Sequence, residues 1–287
     1  MRPPALLRAL IAVPLLVVAC TGQGARETAR EERPPAPSAP AAAPQPDSRP
    51  DSMAALGDSM TRAYAVCGGF GDCPEASWAT GDRGGLDSHA QRLGLEGDAA
   101  RNLAVSGATV SDLPEQARRA VEARVDYVTV LIGANDACAP DEAAMTPVAG
   151  FGRDFDAAMD ILARGLPEAT VLVVSVPDLL RLWAVGKDDP QVLARWDAGV
   201  CQSMLADAGS EAEDARDRRD RVRRRVSDYN AAMDRSCRRH PRCRTDGGAV
   251  FAYDFSLGMV SELDYWHPSE EGQRTLAEVT WRAAGLW

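Results

Sequence analysis

Met53-Ala54-Ala55-Leu56-Gly57-Asp58-Ser59-Met60-Thr61 joins an apolar run to a small, polar turn, and the reading of this junction decides the fold. An apolar run ending at Gly57 reads as a buried strand, and Gly-Asp-Ser as a tight turn with a helix beginning at or just after the serine. Such a turn presents Ser59 at the carboxyl end of a strand, near a helix N-terminus where backbone N–H groups favour negative charge. Both features suit an acyl-transfer nucleophile. Taken alone, the same residues also read as an ordinary helix cap.

Downstream the pattern repeats. Residues 102–105, 127–132, 170–176 and 249–253 read, together with 54–56, as five buried strands. Amphipathic stretches at 111–124, 151–166, 215–238 and 269–284 read as the helices between and after them, with Pro114, Gly165-Leu166-Pro167 and Pro268 as start or stop signals. Strands alternating with helices imply α/β architecture, a single three-layer α/β/α domain around a five-stranded parallel sheet. Ligands of such sheets bind outside the carboxyl ends of the strands. Ser59, Gly107 and Asn135 each follow a strand and can reach one crevice.

Upstream the composition changes. Residues 1–20 place Arg2 and Arg8 before the apolar run 9–19, long enough for an export signal and short for a membrane span. The run ends in Val17-Val18-Ala19-Cys20, which resembles a bacterial lipobox, so Cys20 is a candidate for acylation and a lipid anchor. An ordinary signal cleavage site containing a cysteine is the alternative. Residues 21–52 are rich in Pro, Ala, Arg, Glu, Gln and Ser, with almost no large apolar side chain; they read as an extended linker. The folded domain is expected at 53–287. Export to the outer face of a bacterial membrane, or secretion, follows from these segments.

The formal charge of −10 argues against nucleic acid as partner, because phosphate binding needs a basic face. The charged stretch 211–225 has both signs at helical spacing and reads as a solvated helix with i,i+4 ion pairs. Apart from Cys20, six cysteines remain: Cys67, Cys73, Cys138, Cys201, Cys237 and Cys243. In an exported chain an even set implies three disulfides. Sequence alone does not choose among the pairings, yet the two segments with five intervening residues, Cys67 to Cys73 and Cys237 to Cys243, look like small closed loops, which would leave Cys138 to pair with Cys201. Zinc is the rival use of cysteine, but no CxxC pair exists and the chain has only three histidines, so no metal site is expected.

A serine nucleophile needs a base, and the base an orienting group. His240 lies between Cys237 and Cys243, and His89 in a polar loop; both read as structural or solvated. His267 is preceded by Asp264 and followed by Pro268-Ser269, which suit a helix start. Asp-x-x-His lets the carboxylate hold one ring nitrogen while the other faces the serine. Donors for a tetrahedral oxyanion are available in the Gly107 N–H and in the Asn135 side chain.

Gly57-Asp58-Ser59-Met60, Gly107, Gly133-Ala134-Asn135-Asp136 and Asp264-x-x-His267 resemble, in order and kind, the four sequence blocks of the SGNH (GDSL-type) hydrolase family. The resemblance runs from about Met53 to the C-terminus. It implies that Ser59 is the nucleophile, His267 the general base and acid, and Asp264 its orienter, with the Ser59 N–H, the Gly107 N–H and the Asn135 side chain as oxyanion hole. Met60 stands where the family usually has leucine, a volume-conserving exchange. Residues 102–108 and 133–138 also resemble the family's phospholipase-B-like branch, which brings phospholipids and lysophospholipids into view as substrates. A cofactor-free, monomeric serine esterase or lipase acting on small-molecule or lipid esters is the expectation. A surface protein of the same fold that binds envelope glycan or lipid without turnover, and a serine peptidase, are the alternatives. Phe70, Trp78, Leu180, Leu182 and Trp183 are candidates for the walls of the crevice.

Overall fold

The computed structural model describes residues 49–285; the expected signal segment, Cys20 and residues 21–48 of the expected linker lie outside them. Asp51 and Ser52, at the expected end of the linker, already belong to the domain: both hydrogen-bond the Asp126 carboxylate, Ser52 Oγ at 2.8 Å.

Five parallel strands form one sheet: β1 Met53–Gly57, β2 Ala100–Asn102, β3 Tyr127–Leu131, β4 Thr170–Val173 and β5 Cys243–Thr245. Their order is β2-β1-β3-β4-β5. β1, β3 and β4 are buried along their whole length, which is why they appear in the sequence as unbroken runs rather than as alternation. Met53 lies opposite both Ala100 and Tyr127, so the three strands start level; β1 and β3 end together at Gly57 and Leu131, and the chain after β2 follows β1 up to Gly57 O through Leu103 and Val105 N–H, which brings their loops to one rim. Helices Leu113–Ala123, Val148–Gly165 and Glu213–Cys237 pack in a row against one another. On the other face, Tyr127 of β3 reaches His89, which in turn reaches Thr280 of the helix Glu270–Ala284. The sheet is thus covered on both sides, as the alternating pattern implies.

Three local expectations are corrected. The run 249–253 is not a strand: Ala249–Ala252 is one turn of helix. Gly248 turns the chain at φ 82°, buried Asp246 accepts the N–H groups of Gly248 and Val250 (3.1 and 2.9 Å), and Phe251 N–H goes to Ser175 Oγ. With its N–H groups used in a cap, this short apolar run is free to coil, and period alone cannot separate the two states over so few residues. The partner of β4 is Cys243–Thr245 instead, which begins at the Cys237–Cys243 disulfide. Second, the strand expected at 102–105 lies at Ala100–Asn102; beyond it only Leu103 and Val105 N–H still reach β1, at Ala55 O and Gly57 O. Third, no helix follows Ser59. Thr61 and Arg62 N–H both bond Asp58 O and Tyr64 N–H bonds Ser59 O, but Ala63 and Ala65 take positive φ (49° and 62°), which ends the coil after a turn.

The charged stretch does lie in a helix, Glu213–Cys237. Arg221 and Arg223 pair outside the stretch, with Glu142 and Asp178, and Arg216 pairs within it with Glu211, five residues back rather than four. Arg219 is buried, with its guanidinium 4.1 Å from the Trp183 ring centroid. Cation–π contact and the packing of its aliphatic stem offset the loss of hydration there.

Candidate active site

The turn carrying Ser59 is fixed from below. Gly57 takes φ 141°, and a side chain there would collide with the Leu131 carbonyl of β3. Its N–H and C=O are both held by the buried Gln116 side chain (2.7 and 2.9 Å). Asp58 Oδ1 accepts Met60 N–H at 2.9 Å, folding the chain so that Ser59 stands outward from the strand end. Asp58 itself is buried, and its Oδ2 has no hydrogen-bond partner among the described residues. Burial pushes its carboxyl up to about 7, against the Met60 N–H bond and the His267 charge, which pull it down. Gln273 braces the same turn by joining Met60 O to Trp78 N–H.

His267 is delivered by a loop that closes on itself. Ser261 N–H bonds His267 O at 2.8 Å, and the Ser261 hydroxyl bonds Ala65 O at the end of the Ser59 turn. Ser269 caps the helix Glu270–Ala284 directly behind it, as Pro-Ser after a histidine suggests. Asp264 Oδ1 accepts the N–H groups of Trp266 and His267 (2.9 and 3.0 Å), and its Oδ2 lies 2.7 Å from His267 Nδ1. The other ring nitrogen, Nε2, lies 2.8 Å from Ser59 Oγ. Burial works to raise the Asp264 carboxyl, but the ring hydrogen bond, the His267 charge and the two N–H groups outweigh it and hold it below the ordinary value. Tyr64 leans on the imidazole with ring centroids 4.9 Å apart.

Next to this relay are groups suited to an anion. Gly107 takes φ 83° in open space, and among the described residues neither its N–H nor that of Ser59 is bonded to another protein group. Asn135 follows Gly133, whose φ of 123° starts the short helix Ala134–Ala137. Asn135 Nδ2 donates to Ala108 O (2.8 Å), and Asp136 Oδ2 accepts Val110 N–H (2.9 Å). Two adjacent residues therefore fasten both sides of the stretch that follows Gly107. A hydroxyl that can pass its proton to an oriented imidazole, beside unpaired N–H donors, is able to attack an electrophilic carbon and hold the resulting negative oxygen.

The other candidates fall elsewhere. His89 begins the short helix His89–Leu93 and is fully buried between Tyr127 Oη and Thr280 Oγ1 (2.8 Å each); burial first, then the Arg92 charge, lowers it to about 3. His240 sits by Asp160 in the Cys237–Cys243 loop. The six cysteines form Cys67–Cys73, Cys138–Cys201 and Cys237–Cys243. Cys67, Cys73 and Glu75 are the cluster of potential metal ligands found among the described residues, and its two sulfurs are bonded to each other. Trp78 belongs to the core, Leu180 packs against it, and Trp183 bonds Ala208 O beneath Arg219. Leu182 does line a cavity of about 60 Å³, together with Met60, Val185, Trp266, Pro268 and Leu276. Met60 adjoins Ser59 in the chain, and Trp266 and Pro268 flank His267, although Ser59, His267 and Asp264 do not themselves line this space. Gln116 and Gln273 carry no sequence signal beyond polar residues placed within or beside apolar patterns; Asp136 stands in the Gly133-Ala134-Asn135-Asp136 block, but its bond to Val110 N–H is not readable from it.

A model of the GDSL-like lipase/acylhydrolase family matches residues 55–275. Human membrane-associated phospholipase B1 is 33% identical over an alignment of 167 residues that covers 46% of this chain and only 11% of that protein's length. Among solved structures, LAE5, an alpha/beta hydrolase enzyme from the metagenome of Lake Arreo, has a TM-score of 0.50 at 19% identity, covering 82% of this chain and 95% of that one. An extracellular lipase from Streptomyces rimosus has a TM-score of 0.50 at 17% identity, covering 81% and 99%. At such identities the likeness to these structures concerns the fold.

Proposed function

The chain belongs to the GDSL-like lipase/acylhydrolase family, and from that premise we propose that it is an ester hydrolase that cleaves carboxylic esters through an acyl-enzyme on Ser59. Ser59 Oγ attacks the acyl carbon as its proton passes to His267 Nε2. Asp264 keeps the ring in the tautomer with hydrogen on Nδ1 and stabilises the imidazolium that forms. The Ser59 and Gly107 N–H groups and the Asn135 amide hold the tetrahedral oxyanion. Collapse expels the alcohol, which takes the proton from His267; water then repeats the sequence, and the carboxylic acid leaves. The apolar cavity beside Met60 and Trp266 receives the acyl chain, and the similarity to phospholipase B1 supports a lipid ester as substrate. The N-terminal signal pattern and Cys20 support export and a lipid anchor.

The observation that carries this reading is the relay of 2.8 Å from Ser59 to His267 and 2.7 Å from His267 to Asp264. An activity-based phosphonate, which captures only a nucleophile supported by its base, tests it. Mass spectrometry of the digested protein should find the label on Ser59, and the Ser59→Ala protein should be unlabelled and inactive while unfolding at nearly the wild-type temperature. Labelling of another residue, or wild-type turnover by Ser59→Ala, overturns the assignment.

A further inference from the structure

Among the described residues two large apolar side chains stand out to solvent: Phe70, 62% exposed, and Val105, 47% exposed. Isolated apolar residues on a surface are ordinary, but these two occupy neighbouring loops at one place. Phe70 is at the tip of the loop closed by Cys67–Cys73. Asp72 of that loop accepts a hydrogen bond from the hydroxyl of Ser106, the residue between Val105 and Gly107. Asp72 also pairs with Arg62 at 2.9 Å. Backbone bonds from Ala65 N–H to Gly71 O (2.9 Å) and from Cys73 N–H to Arg62 O (3.0 Å) fasten the loop to the turn that begins at Ser59. Gly68, Gly69 and Gly71 have no atom within 4 Å of where a side chain would begin, so the tip stands clear of the protein. Nothing in the domain's own packing requires an aromatic ring there. The disulfide restricts the loop, so seating Phe70 against a partner orders less chain than seating it from an open loop.

We propose that Phe70 and Val105 form a docking rim that seats the mouth of the Ser59 site on a zwitterionic phospholipid surface. The inference rests on the ester-hydrolase reading of that site. A rim adjoining both Ser59 and Gly107 holds the site at the depth where acyl ester bonds lie, just below the headgroups. Charge selects the kind of surface. The chain carries −10, and residues 68–71 bear no charge, so an anionic surface repels it and offers the tip nothing in return. A zwitterionic layer accepts an aromatic ring at its interface without that repulsion.

The test uses the full chain with Ser59→Ala, so that vesicles stay intact and binding does not depend on the nucleophile assignment. Phe70→Trp is added, and tryptophan quenching is measured on brominated phosphatidylcholine vesicles. The expected result is quenching in excess of that shown by Ser59→Ala alone; attachment through the N-terminal segment is common to both proteins and cancels. In the active chain, Phe70→Ser should lower turnover of aggregated phosphatidylcholine at sub-saturating lipid by about ten- to a hundred-fold, the loss from one large apolar side chain. Turnover of a short-chain, water-soluble ester should be unchanged. No excess quenching, excess quenching only with anionic vesicles, or equal loss on both esters overturns the proposal. So does a change from dimer to monomer in Phe70→Ser without any change on lipid, since the rim would then be a contact between copies.

Discussion

Replacing Asp58 by asparagine should make the protein more stable, and increasingly so as pH rises. The Asp58 carboxyl is buried, one of its oxygens has no partner among the described residues, and its pKa is lifted from 3.8 to about 7. Between those values the folded chain keeps a proton that the unfolded chain has lost, so stability falls as pH rises through the window. At ~1.4 kcal/mol per pH unit, a displacement of roughly three units comes to about 4 kcal/mol. His89 acts in the opposite sense. Its pKa is lowered from 6.5 to about 3, so its contribution is complete above 6.5 and is lost as pH falls toward 3. From about pH 4 to 6.5 the two slopes nearly cancel, and the wild-type protein should look insensitive to pH there. Asparagine keeps the acceptor for Met60 N–H and removes the charge, leaving the His89 slope exposed. Guanidinium denaturation with disulfides intact, at intervals from about pH 5 to pH 8, should show Asp58→Asn gaining about 1.4 kcal/mol per unit over wild type up to pH 7, then levelling. The Asp264 contribution is already complete above 3.8 and does not enter this range. A difference between the two proteins that stays constant across the series refutes the reasoning.

Asn135→Ala should lower kcat by about two to three orders of magnitude with a much smaller change in KM, the usual consequence of losing one oxyanion donor. Asp136→Ala, which leaves Val110 N–H without its acceptor, should also act on kcat more than KM, by about ten-fold, because it loosens the stretch after Gly107 without removing a donor; an effect on KM alone counts against a positioning role. Reducing Cys138–Cys201, or replacing both residues by serine, should cost about 4 kcal/mol for a separation of 63 residues, read by denaturant midpoint. Cys20→Ala should move ester hydrolysis from the membrane fraction to the soluble fraction without changing its rate, and wild-type activity that is already soluble contradicts a lipid anchor.

What could be read from the chain follows from the distance over which each feature is specified. β1, β3 and β4 are legible because a strand buried on both faces must be apolar at every position. The Asp264 to His267 pairing is legible because the two residues are three apart and Pro268-Ser269 announces the helix behind them. β5 was not legible: Cys-Arg-Thr has no apolar pattern, and it is a strand only because β4 lies beside it and the Cys237–Cys243 bond delivers it there. The apolar run after it misleads for the complementary reason, since its N–H groups are claimed by Asp246 and Ser175.

The supports of the candidate site were hidden in the same way. Gln116 reaches Gly57 across 59 residues and Gln273 reaches Met60 across 213, and neither spacing leaves a mark on local periodicity. Asp58 looked like a helix cap, and no helix is there to cap. A short polar residue after a strand is read from the sequence by its commonest use, whereas its actual use depends on whether water can reach it. Here the carboxyl is buried, and one of its oxygens is left without a partner among the described residues. The chain tolerates that cost at the residue before Ser59, where the same carboxyl, through Met60 N–H, sets the turn that stands the hydroxyl against His267.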